Sequence, residues 1–141
     1  MGTPYEIIYN RCLSRIDDPT LLMLTEEDME NMLHGWLMSA IVKMRKRQSD
    51  DISRDDELKQ FNSDLSDTDI EILSLLMARE WVSSQINSIT LTLQTFTGKE
   101  STFFSQAAHL KELMALDDKW KIEAQQLSRD NTYADNEYFN D

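Results

Sequence analysis

Hydrophobic and polar positions alternate along this chain with helical periods over most of its length. Ile7, Ile8, Cys12, Leu13 and Ile16 form a first apolar stripe. Thr3, Pro4 and Glu6 precede it in the order of an N-cap, a first helical residue and a capping-box acid. Pro19 disfavours helical geometry in Asp18, so this helix is expected to end at Asp17–Pro19. Met29, Met32, Leu33, Trp36, Leu37, Ala40, Ile41 and Met44 then recur at spacings of three and four, which predicts a second amphipathic helix. It begins after Thr25, and its acidic first turn, Glu26, Glu27 and Asp28, suits the positive end of the helix dipole.

The third segment behaves differently. From Ile70 to Val82, the residues Ile70, Ile72, Leu73, Leu75, Leu76, Met77, Ala78, Trp81 and Val82 are apolar on nearly every side. A helix with almost no wet face must be covered from several directions, so this one is expected at the centre of a bundle. Its start falls near Ser66 or Asp67. Past Val82 the apolar positions narrow to Ile86, Ile89, Leu93 and Phe96. The threonines in "SITLTLQTFTG" also suit a strand, but the spacing favours a helix stopped at Gly98. A fourth helix is expected after Ser105, carrying Ala108, Leu110, Leu113, Met114, Trp120, Ala124 and Leu127.

Two stretches lack a period. Gln48 to Leu65 is rich in aspartate and reads as a wet acidic loop, with at most one helical turn around Asp55 to Phe61. The end, "RDNTYADNEYFND", reads as an extended acidic aromatic tail. The expectation is therefore an all-α fold: a small bundle of about four helices over residues 1–128, followed by a tail over 129–141.

Composition agrees with one soluble helical domain. The chain has 141 residues, only three glycines and two prolines, and a formal net charge of −12. Such a charge disfavours nonspecific binding to nucleic acid or anionic membranes. The single Cys12 has no internal disulfide partner, which points to a reducing compartment. Met1 to Ile16 lacks a basic start and a long apolar run, so no signal peptide is expected. No apolar run reaches membrane-spanning length.

Catalytic chemistry finds little support. His34 and His109 are the two histidines. Glu30 precedes His34 by four, and no Glu-x-x-His pair of the di-metal bundle type occurs. Cysteine and histidine are too few for zinc, and phosphate loops and nucleophile elbows are missing. No catalytic residue, cofactor or metal ligand is expected. The concentrated positive feature is Lys43, Arg45, Lys46 and Arg47, which fits a helix C-terminus or a partner contact. Tyr133, Tyr138 and Phe139 are the other candidate partner-binding residues, since aromatics dominate interface energetics.

The stretches "TPYEIIYNRCLSRI", "LTEEDMENMLHGWLMSAIVKM", "FNSDLSDTDIEILSLLMAREWVSSQI" and "FFSQAAHLKELMALDD" together resemble the small helical head–tail connector, or neck adaptor, proteins of tailed bacteriophages. The resemblance lies in segment order and sequence texture up to about Arg129. It implies a non-enzymatic virion protein, made in the host bacterial cytoplasm. Copies would form a ring, dodecameric in the family, docked beneath the portal protein and next to a tail or second neck protein. Viral DNA would pass through the ring without sequence-specific binding. A second reading from charge alone is a small acidic inhibitor that mimics DNA and blocks a nucleic-acid-binding protein.

Overall fold

The computed structural model describes residues 2–44, 53–95 and 98–139, with side chains described through residue 130. The described residues form four α-helices: α1 (Tyr5–Leu13), α2 (Glu26–Met44), α3 (Asp67–Gln94) and α4 (Glu100–Phe139). A 3₁₀ turn, Pro19–Met23, joins α1 to α2. A two-stranded antiparallel hairpin, β1 (Arg54–Asp55) and β2 (Gln60–Phe61), precedes α3.

Local chemistry sets the helix starts. Asp28 N–H donates to Thr25 Oγ1 at 3.1 Å, and Asp69 N–H donates to Ser66 Oγ at 3.1 Å. Each hydroxyl satisfies a backbone donor that the first turn leaves open. The expected cap at Thr3 does not form. Pro4 is the N-cap of α1 and makes no side-chain capping bond. Thr3 Oγ1 instead accepts from Leu65 N–H at 2.8 Å, because residues 3–5 pair with the hairpin: Phe61 N–H bonds Thr3 O, and Tyr5 N–H bonds Lys59 O. Gly2 lies so close that an added Cβ would sit 1.9 Å from Phe61 O.

The hairpin corrects the expectation of a wet loop with a helical turn. Asp55 Oδ1 accepts from Glu57 N–H and Leu58 N–H at 2.9 and 3.1 Å, a side-chain-closed turn of the kind aspartate favours. Lys59 completes it with φ 55°. The fold gains from this by burying Phe61 completely. Gln48 to Ile52, the first part of that acidic stretch, lie outside the described residues.

α3 is the hub. Residues Ile72 through Ala78 are buried without interruption, as the all-round apolar pattern requires. Ser74 is tolerated there because its hydroxyl donates to Glu71 O at 2.8 Å. α1, α2 and α4 each pack on α3, while α1, α2 and α4 touch one another far less. The helical reading of Ile89 and Leu93 holds: both lie in α3, which ends at Gln94, with Thr95 as C-cap. Phe96 lies outside the described residues.

α3 and α4 run antiparallel. Arg79 meets Asp117, and the groove beside them brings Ile72 and Leu76 to Ala124 and Ser128. That register sets the first residue of α3, Asp67, opposite about residue 129 of α4 by simple antiparallel counting. α4 is 40 residues long and α3 is 28. The last turns of α4 therefore run past the end of the hub. The extended tail expected over 129–141 is corrected to helical backbone through Phe139. Lengthening an existing helix avoids the cost of nucleation, so a segment without an apolar period can still continue one. α4 also begins earlier than expected, at Glu100 rather than after Ser105.

Candidate functional site

The aromatic face of α1 starts the site. Tyr5 and Tyr9 are one helical turn apart, and both are buried. Tyr5 packs edge-on against Phe61, with ring centroids 5.4 Å apart, and lies 5.9 Å from the His34 ring of α2. Its hydroxyl donates to Asp56 Oδ1 at 2.6 Å. His34 Nε2 approaches the same oxygen at 3.5 Å, a weak contact by distance. The Asp56 carboxyl is held below the usual range, first by the Tyr5 hydrogen bond and then by His34. Burial and that same bond push the Tyr5 phenol up. The trio thus fastens the hairpin turn to α1 and α2.

Next to it opens a groove of about 650 Å³ between α1, the 3₁₀ turn, α2 and the hairpin turn. It exists because α1 and α2 both lean on α3 rather than on each other. Tyr9 lines it and is 8% exposed, and its sealed hydroxyl has no hydrogen-bond partner among the described residues. Burial, with the charges of Glu30 and Asp56, pushes the Tyr9 phenol up to about 12, so it stays a neutral O–H. Glu6, Glu26 and Glu30 stand on the walls, and Lys59, which pairs with Glu30, is the one cation among the described residues that line them. Leu22 and Leu58 also line the groove, 86% and 66% exposed.

A second groove of about 590 Å³ lies between α2, α3 and α4. Its cations are largely satisfied. Lys43 pairs with Glu80, and Arg79 holds Asp117 through contacts of 2.9 and 3.4 Å.

The residues singled out from the sequence fall in three places. Lys43 sits in the last turn of α2 and is tied to Glu80, so its ion pair lies within the fold. Arg45, Lys46 and Arg47 lie outside the described residues. Tyr133, Tyr138 and Phe139 belong to the last turns of α4 by backbone, and their side chains lie outside the described residues. His34 serves the Tyr5–Asp56 cluster, while His109 is exposed on α4, a separate helix. Among the described residues no group of three His, Cys, Asp or Glu side chains is arranged to hold a metal ion, and no helix is long and apolar enough to cross a membrane.

Sequence reasoning missed Tyr5, Tyr9 and the leucines around the first groove. Two signals were available: tyrosines at a spacing of four on α1, and the apolar run Leu21–Leu24 two residues after Pro19. Pro19 does not stop α1, which ends at Leu13 rather than at the expected Asp17–Pro19, but opens the 3₁₀ turn. In comparisons with protein families, curated proteins and solved structures, nothing matches the chain.

Proposed function

We propose that this protein is a structural subunit of a bacteriophage neck, a non-enzymatic head–tail connector whose copies ring the DNA channel beneath the portal protein. The observation that carries this reading is the overhang of α4. A helix that outlasts its long antiparallel neighbour offers a lever for a second protein to grip, in the manner of a helix laid into a groove. Tyr133, Tyr138 and Phe139 fall in that overhang and supply the aromatic anchors. The hub arrangement supports the same role, because three helices on one axis leave open grooves for neighbours. The net charge of −12 also suits a channel wall, where duplex phosphates must slide past without adhering. Copies of such charge repel each other, so the ring assembles on the portal template rather than free in solution.

A DNA-mimicking inhibitor would concentrate carboxylates on an ordered helix face. Along α4, Lys111, Lys119, Lys121 and Arg129 interrupt the acids, which favours the connector reading. The test offers capsids that lack tails the full-length chain and a chain ending at Arg129. Full-length protein should occupy the neck in electron micrographs and co-sediment with capsids. The shortened chain should keep its thermal midpoint and lose most of that occupancy. Equal occupancy removes the overhang as the anchor. A full-length chain that ignores capsids and tails but binds a DNA-processing enzyme tightly replaces the connector with the inhibitor.

A further inference from the structure

The first groove has a chemistry that neither the overhang nor the channel charge explains. Among the described residues its walls carry three glutamates and one lysine, and that lysine is spent on one of the glutamates. Glu6 and Glu26 are exposed and form no ion pair with any described residue. Leu22 and Leu58 come from separate elements and hold apolar surface in water at the same opening. Exposed apolar groups gathered in one concavity and rimmed by charge mark a binding surface. Tyr9 also lines the groove, and its hydroxyl, sealed from solvent, has no hydrogen-bond partner among the described residues.

We infer that this groove docks a short segment of a partner protein in which a lysine or arginine stands beside a large apolar residue. The apolar residue covers Leu22 and Leu58, and the cation faces Glu6 and Glu26. Charge complementarity selects this occupant. Phosphates of nucleic acid or lipid would meet the glutamates and be repelled, and an acidic peptide would meet the same barrier. A polypeptide supplies the apolar anchor and the cation within a few ångströms of one another. The inference does not rest on the neck reading, since the groove and its test need no virion component.

The experiment pans a displayed library of random heptapeptides over the immobilised full-length chain. It is panned in parallel over the full-length Leu22→Ser/Leu58→Ser variant. Both leucines are exposed, and unchanged circular dichroism verifies that the variant folds. Sequences enriched on the native chain alone should place Lys or Arg next to Leu, Ile, Met or Phe. A synthetic peptide of the leading sequence should bind the double variant about tenfold more weakly, the scale of losing an interface anchor. Glu26→Lys should weaken it comparably, and added salt should weaken it further. The inference is overturned by enrichment of acidic sequences, by binding indifferent to these substitutions, or by no enrichment that depends on the leucines. It is also overturned if sedimentation shows the free chain self-associating through this face and the double variant abolishing that, for then a second copy is the occupant.

Discussion

Trp81→Ala tests the hub directly. Trp81 lies on α3 with 9% of its surface exposed, and its indole N–H donates to Asp18 Oδ2 at 2.9 Å. Asp18 in turn caps the 3₁₀ turn, accepting from Thr20 N–H at 3.0 Å and from Thr20 Oγ1 at 2.6 Å. One ring therefore joins the central helix to the segment that aims α2. An aromatic side chain of this size buries roughly 150–250 Å², which is worth about 4–6 kcal/mol at ~25 cal/mol per Å². A compact unfolded chain already hides part of that surface, which brings the figure to about 3–4 kcal/mol. The hydrogen bond to a partly exposed carboxylate adds about 1 kcal/mol or less. The expected loss is thus about 4 kcal/mol, inside the usual range for removing a buried aromatic. For a chain of this size it corresponds to a fall in thermal midpoint of roughly 10–15 °C. Urea unfolding followed by far-ultraviolet circular dichroism measures it, and Trp81→Phe, which keeps most of the ring, should lose only about 1–2 kcal/mol. A loss below about 1 kcal/mol for the alanine variant would refute the hub assignment of Trp81.

Asp18 gives a pH signature. Its carboxyl is held below the ordinary range, first by the Thr20 hydroxyl and also by Trp81, so its charged form stabilises the fold above the unfolded value and loses that effect in acid. Asp18→Asn should therefore be less stable than the native chain at neutral pH, with the gap closing as pH falls below about 4; a gap independent of pH contradicts the role. Cys12 is fully buried and its thiol is pushed up to about 12 by burial, so a thiol reagent at mildly alkaline pH should label it only at the rate of unfolding. Rapid labelling of folded protein would show that α1 does not seal it. The glycines should part ways: an added Cβ at Gly35, inside α2, meets nothing within 4 Å, and Gly35→Ala should raise stability by about 0.5–1 kcal/mol. Gly2→Ala should lower stability, since its Cβ would collide with Phe61 O; thermal midpoints of the two variants moving in the same direction would contradict this.

The parts of the fold legible in the sequence are those whose signal is local. Thr25 and Ser66 announce α2 and α3 because a cap acts within one turn of chain. The encirclement of α3 is legible because the successive buried residues Ile72 to Ala78 allow no solvent face. Thr3 has the same local signature as Thr25, yet its hydroxyl goes to Leu65 N–H, sixty-two residues away. A cap competes with every other donor the fold brings near, and sequence spacing cannot weigh that contest. The hairpin escaped for a related reason. Its strands are two residues each, too short for a period, and what makes them worth forming is the burial of Phe61 beside Tyr5, a contact between distant parts of the chain.

The grooves follow from the hub itself. A helix apolar all round can take three partners, but each partner that leans on it must tilt away from the others, and open space remains between neighbours. α1 is only nine residues long, so it cannot close its side of α3 against α2 for more than a few turns. The 3₁₀ turn then carries Leu21–Met23 across the gap without filling it, which leaves Leu22 in water. The same all-round apolar helix that gives the fold one axis therefore also leaves the concavity whose leucines and glutamates suit a basic, apolar segment of another chain. Met29 lines that concavity while packing against the core, so a larger apolar side chain there, as in Met29→Phe, can fill open space from within. It should raise the thermal midpoint while weakening peptide capture. A variant that gained stability and kept its capture would show that the open space serves no binding purpose.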